Sequence, residues 1–201
     1  MLCIPKKNGK LRTVFDLHEQ NNNTVKDITP FPDQDITPFP DQDITPFPDQ
    51  DNIRHDVARC TYRSKLDMSE AYEQICIRMT NIPKTVFATI LGMFVNQVMQ
   101  QGDCNAPSTF QRLMTAIFRD YIGKFVHVYL DNIFVFSNTL REHEHHLELV
   151  FKRLEAAQLY LSCDKVDLYS KSMDCLGHLI DDQGVHADSD KMQHIREWQQ
   201  P

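Results

Sequence analysis

The segment Phe125-Val-His-Val-Tyr-Leu-Asp-Asn-Ile-Phe-Val-Phe136 is two apolar runs reversed about Leu130-Asp131-Asn132, and it puts a carboxylate at the tip of a hairpin whose flanks belong in a core. β-Branched and aromatic residues on both sides predict strands, and Asp-Asn is a dipeptide that tolerates a tight reversal. An isolated carboxylate on such a sheet is costly unless a partner or a cation neutralises it. Asp131 therefore either serves the turn alone or sits where a positive charge is expected.

A second acid ends a second predicted strand. Tyr62 to Asp67 reads as a strand, and Met-Ser-Glu-Ala-Tyr72 follows it as a helix start. If this strand lies beside the hairpin bearing Asp131, two carboxylates meet at one sheet edge, and their repulsion disfavours double ionisation without cations. Two magnesium ions would resolve the conflict. Such a pair activates an attacking hydroxyl and stabilises a leaving pyrophosphate in phosphoryl transfer, and hard cations prefer oxygen ligands.

The chain has 201 residues and is 41% apolar, enough for one sizeable domain or two small ones with a core. No apolar stretch approaches the ~20 residues that span a bilayer, and no signal segment opens the chain, so a soluble intracellular protein without a membrane partner is expected. Cys3, Cys60, Cys76, Cys104, Cys163 and Cys175 include no Cys-x-x-Cys pair, which predicts reduced, mostly buried thiols.

A net charge of -7 argues against a nucleic-acid partner until its distribution is considered. Residues 1 to 26 carry five cations against two acids, whereas Asp27 to Ile53 carries seven aspartates and no cation. The octapeptide Asp-Ile-Thr-Pro-Phe-Pro-Asp-Gln accounts for most of that acidity, occurring in tandem at Asp27, Asp35 and Asp43. Its prolines exclude helix and central strand, so residues 27–50 are expected as an extended surface loop. Identical copies point to duplication inside a tolerant loop; a functional alternative is a ligand for an aromatic-grooved adaptor domain.

Leu11 to Phe15 reads as a strand after an Asn8-Gly9 turn, and Asp51 to Cys60 as a short helix. A helix from Asn105, with Asn105 as cap and Pro107 in its first turn, presents Phe110, Leu113, Met114, Ile117 and Phe118 on one face. Another begins after Thr139, where Thr139 and Glu142 make a capping box and Leu147, Val150, Phe151 and Leu154 recur at helical spacing. Its outer face would carry His143, His145 and His146. Only His143 and His146 can share a face and no Cys accompanies them, so a solvated histidine patch is expected rather than zinc.

Five stretches occur in order: Lys6-Lys7-Asn-Gly-Lys-Leu-Arg12, Ser64-Lys-Leu-Asp67 with Tyr72, Gln101-Gly102 with Asn105 to Gln111, Tyr129-Leu-Asp-Asn132, and Leu176-Gly-His178. Together they resemble a reverse transcriptase, and more narrowly the fingers and palm of a Gypsy-type long-terminal-repeat retrotransposon polymerase. The resemblance implies that Asp67 and Asp131 hold the metal ions, magnesium or manganese, with the Met68 carbonyl as a further ligand. It makes Tyr72 the gate against a 2′-hydroxyl, and makes Lys6 or Lys7, with Arg12, the grip on the incoming deoxynucleoside triphosphate. Gln101 and Gly102 would face the nascent base pair, Lys165 would donate a proton to pyrophosphate, and Leu176 with Gly177 would hold the primer. Without the resemblance, Tyr72 reads as core packing, Gly102 as a turn and Leu176-Gly177 as a strand end. The implied partners are an RNA or DNA template-primer and deoxynucleotides.

The resemblance implies an α+β fold, a polymerase palm whose antiparallel sheet is backed by the Asn105 and Thr139 helices, with partial fingers and essentially no thumb. The expected division is fingers at 1–53, palm at 54–78, fingers at 79–104, palm at 105–180 and the start of a connection at 181–201. The family's usual hairpin tip carries a second aspartate where this chain has Asn132. Asparagine removes a charge whose interaction with another at 4 Å is worth about 4 kcal/mol at an effective dielectric of about 20, and about twice that with a divalent ion before hydration is subtracted. Weakened metal binding and low activity are expected. The alternative is a catalytically silent nucleic-acid-binding remnant.

Overall fold

The computed structural model describes residues 2–5, 9, 11–27, 47–187, 192–193 and 196–198. Lys6, Lys7, Asn8 and nearly all of the triplicated octapeptide lie outside them. The chain divides into two units, residues 1–45 with 70–113, and residues 46–69 with 114–201.

In the first unit, β1 (Leu2–Pro5) and β2 (Leu11–Val14) pair antiparallel, with Leu2 opposite Val14. Helix α1 (His18–Asn22) follows. It is tied to the loop around Gly102 by Gln20 Nε2 donating to Asp103 at 2.8 Å and Asn21 Nδ2 donating to the Gly102 carbonyl at 2.9 Å.

The second unit contains the main sheet. Helix α2 (Gln50–Arg59) starts on Asp49, whose carboxylate accepts from the Asp51 amide. Strand β3 (Tyr62–Asp67) follows two residues later, with the bounds expected from the sequence. In the first unit, β4 (Val86–Thr89) and β5 (Gly92–Val95) then form a hairpin, with Phe87 placed between Phe15 and Phe94. Helix α3 (Ala106–Phe118) buries Phe110, Met114 and Phe118 of the expected face, while Leu113 and Ile117 are only partly covered. Asn105 stands directly before that helix, as expected of its cap, and its carbonyl accepts from the Thr109 amide at 3.0 Å. Its Oδ1 accepts from the Asp27 amide and its Nδ2 donates to the Val25 carbonyl, holding the chain that enters the repeat.

Strands β6 (Val126–Tyr129) and β7 (Asn132–Ser137) make the hairpin, α4 (Leu140–Ala156) follows, and β8 (Asp167–Ser170) completes a sheet of order β6-β7-β3-β8. A second sheet holds β9 (Met173–Cys175), β10 (His178–Asp181) and β11 (Gly184–Ala187), with β10 central. Alternation along β3 and β7 gives the main sheet two covered faces. Phe134 and Phe136 pack with Ile53 and Val57 of α2 and with Met173, Cys175 and Ile180. On that face Arg63, 1% exposed, donates to the carbonyls of Val57 and Ala58 and pairs with Asp182 at 3.0 Å. The opposite face carries Ser64 and Ser137, and α4 packs on it.

The Thr139–Glu142 capping box is present in full, but the solvated histidine patch is not. His143 is completely buried, with Nε2 at 2.7 Å from Ser64 Oγ and Nδ1 at 2.9 Å from Ser137 Oγ. His146 also reaches Ser137 Oγ, at 2.8 Å, and stacks on Phe125. The apolar stripe of α4 is centred on His143, Leu147, Val150 and Leu154, which leaves Phe151 at its edge, 39% exposed. Two hydroxyls on the sheet make a buried imidazole affordable, a circumstance invisible in the helix's own sequence. The thiols also depart from expectation: of the described cysteines Cys175 is buried, Cys60 and Cys104 are partly so, and Cys76 and Cys163 are exposed. Among the described residues no helix is long and apolar enough to cross a membrane.

Candidate active site

Strands β3 and β7 pair in unbroken register from Tyr62 opposite Ser137 to Asp67 opposite Asn132, so Asp67 ends its strand beside the hairpin tip. Tyr129 and Asn132 are partners across β6 and β7, which leaves a two-residue turn of Leu130 and Asp131. Asn132 is thus the first residue of β7 and not part of the reversal. The turn bends at Leu130, whose φ of 53° is a position normally left to glycine.

Beyond Asp67 the backbone is clamped on both sides. The Ser162 amide donates to the Asp67 carbonyl at 2.8 Å and the Ser69 amide to Tyr160 at 3.0 Å, flanking a bridge between Met68 and Leu161. This pattern turns the N–H and carbonyl of Met68 away from Leu161. The N–H is taken by the Asp131 carbonyl at 3.0 Å. Two acids that are 64 positions apart in sequence, Asp67 and Asp131, are held by these bonds on adjoining segments.

Burial foremost, and then the charge of Asp67, push the Asp131 carboxyl above the usual carboxylate range, against the opposing pull of Lys165 and Lys65. Asp67 accepts a hydrogen bond from Lys165 Nζ at 2.9 Å. Asn132 Nδ2 donates to Asp131 Oδ1 at 3.2 Å, placing a neutral donor beside the acid. Among the described residues no cluster of three or more His, Cys, Asp or Glu is arranged to hold a metal ion. The Asp67 and Asp131 carboxylates still fit magnesium, which is ordinarily bound by one or two protein carboxylates with phosphate and water completing the shell.

Leu176 and Gly177 also lie in this unit. They form the turn between Cys175 and His178, with φ of 51° and 76°. Two positive values in a two-residue turn are the type I′ pattern, so the pair closes a hairpin instead of ending a strand. Tyr72, Gln101, Gly102 and Arg12 belong to the other unit. Tyr72 is the second residue of a 3₁₀ turn spanning Ala71–Gln74 and meets Phe110 edge to face at 5.8 Å. Gln101 is exposed, and Gly102 has a φ of 109° that a side chain would strain. Arg12 lies on β2, with its backbone opposite Ile4.

Sequence reasoning missed the support beneath the hairpin. Gln50 Nε2 donates to the Tyr129 hydroxyl at 2.7 Å, and Phe47 meets the Tyr129 ring edge to face at 6.1 Å. Gln50 was hidden because it is also the last letter of a low-complexity repeat.

Residues 4–180 match the model of a family described as reverse transcriptase (RNA-dependent DNA polymerase). The chain is 32% identical over 197 residues to a retrovirus-related Pol polyprotein from transposon 297 of Drosophila melanogaster, covering 96% of this chain and 17% of that protein. It is 27% identical to the Pol polyprotein from transposon gypsy of the same organism, over 96% of the chain and 17% of the relative. The transposon Tf2-7 polyprotein of Schizosaccharomyces pombe is 27% identical over the whole chain, which spans 14% of it. Among solved structures, a foamy viral protease-reverse transcriptase in complex with double-stranded DNA superimposes with a TM-score of 0.83 at 24% identity, over 99% of this chain and 32% of the other. The same viral protein in complex with an RNA/DNA hybrid gives 0.79 at 23% identity, over 99% and 24%. The α+β fold is therefore that of a reverse transcriptase, and the chain spans less than a fifth of the polyproteins it matches.

Proposed function

The chain belongs to the reverse transcriptase (RNA-dependent DNA polymerase) family, and from that premise we propose that it supplies the palm and part of the fingers of a retrotransposon polymerase that extends a primer on an RNA or DNA template. The observation that carries the reading is the coupling of Asp67 and Asp131 at the shared end of β3 and the β6–β7 hairpin. Unit 46–69 with 114–201 is assigned as palm and unit 1–45 with 70–113 as fingers, on the ground that the two acids and Lys165 all belong to the former.

Asp67 and Asp131, with the Met68 carbonyl, would hold two magnesium ions, or manganese in their place. When bound, such ions activate the primer 3′-hydroxyl and offset the charge of the departing pyrophosphate. Lys165, an ammonium 62% exposed beside Asp67, is placed to give pyrophosphate its proton. Tyr72 is assigned to exclude a 2′-hydroxyl, Lys6 or Lys7 with Arg12 to grip the triphosphate, Gln101 and Gly102 to meet the new base pair, and Leu176 with Gly177 to hold the primer.

Primer extension on poly(rA)·oligo(dT) with dTTP tests this reading directly. Incorporation that requires magnesium or manganese, rises in Asn132→Asp and vanishes when Asp131→Ala is added supports it. Salt-dependent binding of primer-template with no incorporation by any variant would establish the silent nucleic-acid-binding remnant in its place.

A further inference from the structure

Two turns of the palm bear the functional assignments, and each is built on a leucine in a left-handed conformation. Leu130 has φ 53° in the turn that carries Asp131, and Leu176 has φ 51° in the turn assigned to the primer. Such backbone persists where surrounding structure over-determines it. Both turns are anchored to the first two turns of α2. Gln50 Nε2 donates to the hydroxyl of Tyr129, the residue that opens the first turn. Arg54, one helical turn further on, donates through one guanidinium nitrogen to Gln50 Oε1 and to the Leu176 carbonyl, each at 3.4 Å. Its other nitrogen is held by Asp51 at 2.7 Å, and its side chain is only 13% exposed. Tyr129 and Leu176 also pack on the same core cluster as Ile53 and Val57.

We propose that Gln50 and Arg54 are positioning residues that fix the metal-bearing turn and the primer turn relative to each other, through the Tyr129 hydroxyl and the Leu176 carbonyl. This rests on the polymerase reading for the identity of the two turns, though not for their mechanical linkage. Neither residue touches a reacting atom. Gln50 sets the direction of the Tyr129 side chain and so the entry to Leu130-Asp131, while Arg54 couples that setting to the β9–β10 hairpin. The octapeptide takes on a definite role as well. Copies one and two contain the same glutamine as Gln34 and Gln42, but the third copy alone runs directly into α2 and delivers Phe47 and Gln50 to Tyr129.

The test uses the full chain as a double-mutant cycle of Gln50→Leu and Tyr129→Phe, with Arg54→Met alongside. Amide hydrogen exchange is followed in peptides covering residues 129–132 and 175–178, and Mn2+ affinity is measured by electron paramagnetic resonance. Gln50→Leu is expected to speed exchange at the first turn about tenfold and to weaken Mn2+ binding three- to tenfold, with the β3–β7 amides unchanged. In the Tyr129→Phe background it should add nothing further. Arg54→Met should speed exchange at both turns. Unchanged exchange at the two turns, or additive effects of Gln50→Leu and Tyr129→Phe, overturns the proposal. A helix-packing role alone would move the global urea midpoint and leave Mn2+ affinity untouched. If exchange responds as expected while neither the wild-type chain nor Asn132→Asp binds Mn2+, the linkage stands and the polymerase assignment of the turns falls.

Discussion

Lys165 Nζ stands 2.9 Å from Asp67 Oδ1, with the lysine side chain 62% exposed and the carboxylate side chain 12%. The positive charge that faces this acid therefore comes from the solvent side, where a divalent ion bound by Asp67 would compete with it. With its cation open to water, the pair is screened, and solvent-screened pairs are worth about 0–1 kcal/mol. Lys165→Met is expected to raise Mn2+ affinity by up to about fivefold, the equivalent of ~1 kcal/mol, and at the same time to depress primer extension by removing the proton source. Titration with Mn2+ and a pH–rate profile check both halves. Affinity that falls in the variant would show that Lys165 supports the ion instead of competing with it.

Asn132→Asp places a second carboxylate beside Asp131 and removes the amide that now donates to it at 3.2 Å. Without metal the variant should be less stable by about 1 kcal/mol, through like-charge repulsion and one lost hydrogen bond. With magnesium or manganese the sign should reverse, because a site occupied by a divalent ion gains from the added charge. Melting temperatures with chelator and with about 10 mM metal, where binding to the folded state stabilises by RT ln(1 + [L]/Kd), give the comparison. A variant that is destabilised equally in both would refute an ion between the acids.

Much of the arrangement around these acids was legible in sequence. β3 occupies Tyr62–Asp67 and the α4 capping box lies at Thr139 and Glu142, because both are set by short-range patterns. Long-range polar pairing was not legible. His143 read as solvated because its partners, Ser64 and Ser137, lie on strands, 79 positions away in one case and 6 in the other. Asn105 takes the cap position that the sequence predicts, but its side-chain partners, Asp27 and Val25, lie 78 and 80 positions away in the chain. The turn residues were misjudged by one place: β7 pairing extends to Asn132, and the hairpin accepts strain at Leu130 to keep Asp67 opposite it.

His143 gives the fold a defined acid sensitivity. Burial, with a smaller contribution from His146, lowers its pKa to about 4 from 6.5. Its folded-state value is depressed, so the unfolded chain binds the extra proton as pH falls from about 6.5 toward 4. Stability from this group is complete above 6.5 and is lost through that window, by on the order of 3 kcal/mol in all. Asp131, whose carboxyl is raised chiefly by burial, works in the opposite direction. Urea midpoints at pH 7.5, 6, 5 and 4.5 for wild type and His143→Gln isolate the histidine, since Asp131 is common to both. The glutamine variant should lose stability at pH 7.5 and show a shallower decline below pH 6.5; parallel curves would count against a neutral buried imidazole.

The triplicated octapeptide can be shortened without removing either of its described ends. Because the copies are identical, deleting Asp35 to Gln50 yields the same protein as deleting Asp27 to Gln42. The remaining copy still begins with the aspartate that meets Arg112 and Ser108, and still ends in the Phe-Pro-Asp-Gln that caps α2 and reaches Tyr129. Closing a shorter loop costs less entropy, by about 1 kcal/mol for a change of this size. The single-copy protein is therefore expected to have a urea midpoint equal to or above that of the parent, with Mn2+ affinity unchanged. A marked loss of stability would mean that the two surplus copies make contacts of their own, and unaltered stability with weakened Mn2+ binding would mean that loop length itself sets the entry of Phe47 and Gln50 beneath the hairpin.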